Sequence, residues 1–277
     1  MPVYPWDSGV KHLYHYERFR PEYLASVLHD QRIRCSNPDN LNDPWDCRPW
    51  FDTRCTNDRS IRKETIAWLL MLDSGVDKVE EEHLKNFERA AERNPDILKR
   101  VTDNVSRNVF QMFATHWRIY CLAPDPCSTL MWSHYADNHR GVCLEFATNN
   151  DLFRCAQKVI YLRKYPVWRP HKLLETSIEE ALLTKSKDWQ YEEEYRVIAK
   201  RSSAGSRAGD RVVISDDGYL SLPAGALKSI VVGCEANYEL VAAIVKQHAP
   251  DLPVKRAVRS PNQYRLKIEV AFSCWRA

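Results

Sequence analysis

Residues 129–146 constrain the fold of this chain most, because a helical pattern gives way to a strand pattern within them. Apolar and aromatic residues recur at helical spacing over residues 129–138, which predicts a short helix. Gly141 favours the end of that helix, since glycine adopts the left-handed conformation without a Cβ penalty. Residues 141–146 have the alternation and branched side chains of a strand. Helices and strands are therefore expected side by side.

Glu145 is the one charged residue inside this predicted strand. A charge in an apolar strand is costly to bury unless it is paired. Glu145 is therefore expected either to face solvent or to meet a cation in a cleft.

Length and composition are those of an ordinary globular protein. The 277 residues suffice for one large domain or two small ones, and 44% of them are hydrophobic and 28% charged. The net charge of +3 is too small to indicate a nucleic-acid partner by itself. No apolar run has the length of a membrane span, and the first residues lack the pattern of a signal peptide. A cytoplasmic protein with no membrane partner is expected.

The first 46 residues predict a strand, a helix, a second strand and a polar loop. Residues 13–16 and 31–35 have strand patterns, and Pro21 opens a helix between them. Residues 36–46 are rich in turn formers, whose side chains can bond their own backbone. If the two strands pair, His15 lies close to this loop.

Residues 57–117 predict three charged helices with few candidate catalytic residues, which indicates a helical insertion. Strands and two helices follow, one over residues 176–188 and one over residues 238–248. The predicted class is α+β, with a mixed, split β-sheet core in a single domain over residues 1–277.

Two polar features near the start each have a functional and a structural interpretation. His15, between Tyr14 and Tyr16, either bonds a ligand ribose or acts as a base, or it is a half-buried strand histidine satisfied by the backbone. The 42–46 loop either binds a sugar, phosphate or metal, or it is a self-bonded turn.

The acidic run at residues 191–196 has two interpretations as well. A run of charges is usually a solvated face. Strand alternation instead places Glu192, Glu194 and Arg196 on one face. There the guanidinium would hold an ionised carboxylate in a pocket.

The nine cysteines show no Cys-x-x-Cys spacing, and their odd number argues against a disulfide framework. Most are expected to be small buried hydrophobic residues. His134 and His139, five residues apart, do not have the spacing of a zinc-binding helix. No metal site is predicted.

Four ordered motifs lie outside the 57–117 insertion. They are Leu13-Tyr14-His15-Tyr16, Ser36 with Asn42-Asp43-Pro44-Trp45-Asp46, the segment from Met131 to Phe146, and Trp189-x-Tyr191-Glu192-x-Glu194-Tyr195-Arg196. Together they resemble the bacterial domain-of-unknown-function family numbered 2971. This resemblance implies membership of a family and no particular activity.

The opening of the chain has a second resemblance. The strand with His15, a helix that ends near Leu28 and the next strand are similar to the start of ADP-ribosyltransferases of the His–Tyr–Glu type and of DNA-modifying toxins. The resemblance implies that His15 holds the nicotinamide ribose and that Tyr135 or Trp132 stacks on nicotinamide. Glu194 or Glu192 would contact the ribose and orient the nucleophile. It also implies an ADP-ribosyltransferase-like sheet core.

The resemblances and the residue patterns together give a set of expected site residues. The expected catalytic residues are Glu194, Glu192 and His15. The residues expected to bind NAD, the substrate, are Tyr16, Ser36, Asn42, Asp43, Trp132, His134, Tyr135 and Arg196.

The expected function is that of an NAD-consuming ADP-ribosyltransferase-like enzyme, serving as a toxin or anti-phage defence effector with a nucleic acid or protein as acceptor. The alternative is a nucleic-acid-binding or metal-dependent nuclease-like module, with stacking aromatics and an ion held by Asp43, Asp46 and Glu145. Its phosphate-binding residues would be Arg32, Arg34, Arg140 and Arg196. A third interpretation is a recognition domain that binds a ligand without turnover.

Overall fold

The computed structural model describes residues 2–48, 50–51, 59–76, 78–168, 181–201, 213–215 and 218–270. The chain divides into two compact units. Unit 1 comprises residues 1–36, 118–159 and 189–277, and unit 2 comprises residues 37–117 and 160–188.

Strands and helices alternate irregularly along the chain, which confirms the α+β class. The described strands are β1 His12–Glu17, β2 Arg32–Arg34, β3 Trp50–Phe51, β4 Trp117–Leu122, β5 Val142–Ala147, β6 Gln157–Lys158, β7 Ile160–Leu162, β8 Val167–Trp168, β9 Thr184–Ser186, β10 Tyr195–Arg201, β11 Val213–Ser215, β12 Tyr219–Ser221, β13 Leu227–Val232, β14 Val254–Arg259 and β15 Leu266–Val270. The main described helices are α1 Pro21–Asp30, α2 Arg59–Ser74, α3 Glu81–Arg93, α4 Pro95–His116, α5 Thr129–Tyr135 and α6 Tyr238–His248.

Unit 1 is built on a mixed five-stranded sheet in the order β1-β5-β13-β14-β15. Its neighbouring strands are antiparallel except β13 and β14, which are parallel. A second sheet has the order β11-β10-β4, with β6 also paired to β10. An antiparallel bridge between Tyr14 of β1 and Ala123 joins the end of β4 to the first sheet. Strand β1 therefore belongs to the larger sheet and also touches the smaller one.

The first two strands do not pair with each other, so the condition for placing His15 close to the 36–46 loop is not met. Strand β1 pairs with β5, and β2 pairs with β12. Strand β4 takes the place between them, since Ser36 after β2 bridges to Ile119. Both strands pair with partners that lie more than a hundred residues away along the chain.

Strand β5 is buried along its whole length because both faces of the sheet are covered. On one face Leu144 and Phe146 pack with Leu13 and with apolar residues of α1 and α6. On the other face Cys143 packs with Tyr16 and Trp132. The candidate site is built on this second face.

Unit 2 contains helices α2, α3 and α4, which pack on one another. Asn94 separates α3 from α4, and its side chain caps α4 by accepting a bond from the backbone N–H of Asp96 (3.1 Å). The three helices predicted in this stretch are confirmed. Unit 2 also includes the 37–48 loop and the short parallel pairs β3–β8 and β7–β9. The single domain over residues 1–277 stays a prediction.

The predicted helix over residues 176–188 is wrong at its end. Residues 184–186 form strand β9, parallel to β7, and a 3₁₀-helix begins at Lys187. Residues 176–180 lie outside the described residues.

Across the described ranges, every helix is too short or too polar to cross a bilayer.

Candidate functional site

Helix α5 anchors the site to the sheet of unit 1. Ser128 caps it, with the hydroxyl accepting a bond from the backbone N–H of Met131 at 3.4 Å. Trp132 is fully buried, and its indole N–H donates to the carbonyl of Pro126 at 2.8 Å. The ring of Tyr16 meets it edge-on at 5.2 Å. Both residues were expected to bind NAD, and in the structure they form the packed base of the site.

The turn after α5 differs from the expected one. Asp137, Asn138 and His139 all have positive φ angles, of 49°, 53° and 68°, whereas Gly141 does not. Gly141 is needed for another reason, because a Cβ there would lie 2.2 Å from the carbonyl oxygen of Glu17. The prediction that Gly141 is left-handed is therefore wrong, although a glycine is required at this position.

Glu192 is the acidic residue that is hydrogen-bonded to the end of α5. It is buried, and the hydroxyl of Tyr135 donates a 2.5 Å hydrogen bond to its carboxylate. Glu192 ends a 3₁₀-helix, and Glu193 after it has a φ of 45°. The predicted strand alternation from Glu192 is thus wrong, since strand β10 begins only at Tyr195.

Tyr135, which bonds this carboxylate, belongs to a group of four neighbouring aromatic rings. The ring of His134, which is exposed, lies 6.2 to 6.4 Å from the rings of Tyr135, Trp189 and Tyr191. Trp189 and Tyr191 lie 6.1 Å apart. We call these four residues the aromatic patch. It gives unit 1 a partly exposed π surface beside a buried carboxylate.

Glu194 and Arg196 form the ion pair that the sequence predicted. The guanidinium donates from Nε to one carboxylate oxygen at 2.8 Å and from Nη2 to the other at 3.0 Å. Both side chains are buried, at 3% and 0% exposure. Such a two-point bond holds the carboxylate ionised and fixed in direction.

His15 is half-buried on β1, on the opposite face of the strand from Tyr14 and Tyr16. Its ring stacks on Tyr120 of β4 at 4.2 Å, and Nδ1 lies 2.7 Å from the carbonyl oxygen of Cys121. Burial lowers the pKa of His15 to about 4, although the bond to Cys121 raises it in part. The ring is neutral at pH 7. Nδ1 carries the proton for the carbonyl, which leaves Nε2 as an acceptor.

The other three expected site residues are dispersed. Ser36 is exposed in unit 1, where its backbone N–H donates to Ile119 at 2.7 Å. Asn42 and Asp43 belong to unit 2. Asn42 is exposed, whereas Asp43 is buried and accepts a 2.9 Å bond from the backbone N–H of Trp45. That bond is the self-bonded turn that the sequence allowed as one interpretation.

A polar cluster surrounds Glu145, and the sequence predicted only part of it. The Glu145 carboxylate accepts bonds from Ser229 and from Lys255 (2.5 Å), and Tyr14 donates its hydroxyl at 3.1 Å. His12 lies 3.5 Å away. Burial raises the pKa of Glu145, but the bonds from Lys255 and Ser229 outweigh it and hold the pKa below its usual value. Of the two alternatives that the sequence left open for Glu145, solvent or a cation, the structure has the cation.

In the sequence, this cluster was indicated by a single charged residue within an apolar strand. Its partners were not visible in the sequence, because Ser229 and Lys255 lie 84 and 110 residues away along the chain. Tyr14 links the cluster to the rest of the site, since Tyr14, Tyr135 and Tyr191 pack against the same apolar cluster around Trp132.

The described cysteines are buried or half-buried thiols. Within the described part of the chain, no group of three or more His, Cys, Asp or Glu side chains has a metal-binding arrangement.

Comparison with known proteins agrees with one of the two resemblances. No curated protein and no solved structure matches the chain. The family described as "Protein of unknown function (DUF2971)" matches residues 131–197. That segment runs from α5 through β5 to the Glu194–Arg196 pair, so the similarity to this family covers the acidic and aromatic residues of the candidate site.

Proposed function

We propose that unit 1 consumes NAD as an ADP-ribosyltransferase-like enzyme. The observation that carries the proposal is the position of the Glu192 carboxylate, bonded to Tyr135 at the edge of the aromatic patch. A planar ring is recognised by stacking, and a developing positive charge is stabilised by a nearby carboxylate. The site of unit 1 offers both.

The proposed reaction breaks the bond between nicotinamide and its ribose. Nicotinamide leaves with the bonding electrons, and positive charge builds on the ribose, as in other glycosidic cleavages. The acceptor then bonds to the same ribose carbon and releases its proton. The patch residues His134 and Tyr135 bind the nicotinamide ring, and Glu192 faces the ribose.

The Glu194–Arg196 pair has a positioning role in this proposal. Both oxygens of Glu194 are engaged by Arg196, so this carboxylate is better suited to fixing the start of β10 than to contacting substrate. The fixed strand start holds the preceding turn, which carries Glu192.

With Nδ1 bonded to Cys121, the Nε2 of His15 is left as a hydrogen-bond acceptor. Its ring stacks on Tyr120 on the face of β1 opposite to Tyr16, so the contact of His15 with the ribose stays a prediction and is not part of the proposed site. Trp132 and Tyr16 are buried and in contact with each other, and Tyr135 and Tyr191 of the aromatic patch pack against the cluster that they form. The acceptor is proposed to be a nucleic acid or a protein, in keeping with a toxin or anti-phage effector.

The nuclease-like alternative stays a prediction. It assigned a divalent ion to Asp43, Asp46 and Glu145. Ser229 and Lys255 are bonded to the carboxylate of Glu145, and Lys185 lies 3.9 Å from the carboxylate of Asp46. Lysine side chains thus already neutralise two of these three carboxylates, which supports the NAD proposal in preference to the nuclease-like one.

Binding of NAD is tested by thermal unfolding with and without millimolar NAD. A ligand that binds the native state raises the melting temperature by mass action. The wild type is expected to shift, and Glu192→Gln to shift less. The exposed Glu269→Gln serves as a matched control that shifts like the wild type. If Glu192→Gln does not fold, the exposed His134→Ala takes its place. Equal shifts in all variants would contradict the proposed site.

A further inference from the structure

Unit 2 contains a cavity that the proposed function does not use. It has a volume of about 270 Å³ and lies among residues 45–48, residues 162–166 and strand β9. This is close to the lower end of the range for small-molecule sites. All of its lining residues belong to unit 2.

The wall of the cavity is held in place by its own contacts. The hydroxyl of Tyr165 donates to the carbonyl oxygens of Trp45 (3.2 Å) and Arg48. Burial raises the pKa of Tyr165 to about 12, so the phenol keeps the proton that these bonds need. The guanidinium of Arg48 lies 3.3 Å from Asp39 and 4.0 Å from the ring centroid of Phe110. A wall fixed in this way loses little freedom when a ligand binds.

Positive charge predominates in the lining. The lining contains two carboxylates, of Asp46 and Asp188, and four cationic side chains, those of Arg48, Arg163, Lys164 and Lys185. Lys185 is buried at 6% exposure, with its Nζ 3.9 Å from the buried carboxylate of Asp46. Arg163 and Lys164 are exposed. Arginine and lysine around a concave surface suit a phosphate group.

The remaining lining suits a planar, hydroxylated body. Trp45, which is 64% exposed, lines the cavity together with Leu162 and Pro166. Ser186 and the exposed Asp188 also line the cavity, and the Ser186 hydroxyl donates to the Asp188 carboxylate at 3.3 Å. A carboxylate at the surface of a cavity can accept further bonds from the hydroxyls of a ligand.

We propose that this cavity binds a nucleoside monophosphate, with the phosphate at Arg163, Lys164 and Lys185, the base against Trp45, and a ribose hydroxyl donating to Asp188. The site is separate from the proposed NAD site. None of the residues assigned to NAD cleavage in unit 1 lines this cavity.

The test is calorimetric titration of the full chain with AMP, adenosine and inorganic phosphate. AMP is expected to bind more tightly than either of the other two probes. The double variant Arg163→Ala/Lys164→Ala removes two exposed charges and should weaken AMP binding by about tenfold or more, as loss of charge-assisted bonds predicts. Lys99→Ala/Arg100→Ala, two exposed cations elsewhere in unit 2, is the matched control and should bind like the wild type.

Several outcomes would overturn this proposal. They are no AMP binding by the wild type at millimolar concentration, equal affinity for adenosine or for inorganic phosphate, and unchanged binding in the Arg163/Lys164 variant. Glu192→Gln is included to separate the two sites. It should bind AMP normally whatever its response to NAD, and loss of AMP binding in that variant would place the AMP site in unit 1.

Discussion

The hydroxyl of Tyr135 donates a 2.5 Å hydrogen bond to the carboxylate of Glu192, which lies 57 residues later in the chain. Helix α5 supplies the phenol, and the turn before β10 supplies the acid. The bond therefore ties two of the motifs seen in the sequence into one site. It also gives a buried carboxylate a donor, without which burial would be costly.

Tyr135→Phe removes this bond and keeps the ring of the aromatic patch. Loss of a donor to a buried carboxylate is expected to lower the free energy of unfolding by roughly 1–3 kcal/mol. Denaturant unfolding measures the change. Tyr264→Phe is the control, because Tyr264 is fully exposed and should leave stability unchanged. Equal stability of the two variants would show that the bond to Glu192 does not hold the turn.

Removal of one partner from the buried Glu194–Arg196 pair is expected to destabilise unit 1 strongly. Arg196→Met leaves an uncompensated buried carboxylate, which costs roughly 3–5 kcal/mol. The double variant with Glu194→Gln should lose less than the sum of the two single variants.

The exposed pair of Arg154 and Asp151, 3.7 Å apart, is the control for this experiment. Arg154→Met is expected to change the free energy of unfolding by less than about 1 kcal/mol. Additive effects of Arg196→Met and Glu194→Gln would contradict a direct pair.

His15 should make stability depend on pH in a defined window. Its pKa is lowered by burial to about 4 in the folded chain, against 6.5 for the ordinary group. The unfolded chain thus binds the proton first, and stability falls as pH drops from 6.5 towards 4, by up to roughly 3 kcal/mol.

His15→Gln should reduce the slope of the unfolding free energy against pH in this window, by the equivalent of about one bound proton. Urea unfolding at several pH values measures this slope. His83→Gln, at an exposed histidine of unit 2, is the control. An unchanged slope in His15→Gln would show that His15 titrates equally in the folded and unfolded chain.

The ionised carboxylate of Glu145 should stabilise the folded protein. Its pKa is held below the ordinary value because the bonds from Lys255 and Ser229 outweigh burial, so its contribution is present above the unfolded pKa and is lost as pH falls through the folded pKa. Lys255→Met should therefore destabilise the protein at pH 7 more than at acid pH. Thermal unfolding at pH 7 and pH 4 measures this, with the exposed Lys246→Met as control. An equal loss at both pH values would contradict the pairing.

Local features of the fold were visible in the sequence. Helix α6 over residues 238–248 and the break at Asn94 follow from periodicity and capping residues, and both are found. Strand β9 was taken for a helix, because three residues carry too little periodicity and its partner β7 lies more than 20 residues earlier in the chain. The pairing of β1 with β5 depends on contacts across the whole chain, which local patterns do not encode.

The candidate site, too, could be predicted only in part from the sequence. The Glu194–Arg196 pair was predictable because its members are two residues apart. The Tyr135–Glu192 bond and the Lys255–Glu145 bond join distant segments and needed the fold. Trp132 and Tyr16 were expected to contact NAD because aromatic residues serve clefts and cores alike. Burial shows that both belong to the core.

The measurement that tests the central claim most directly is release of nicotinamide from NAD by the purified protein, followed by chromatography. The account predicts release by the wild type and by Glu269→Gln. It also predicts that Glu192→Gln releases nicotinamide at least about a hundredfold more slowly. Removal of one group that stabilises the transition state electrostatically has an effect of this size in other enzymes. No release by the wild type with either nucleic acid or protein added as acceptor, or undiminished release by Glu192→Gln, would contradict it.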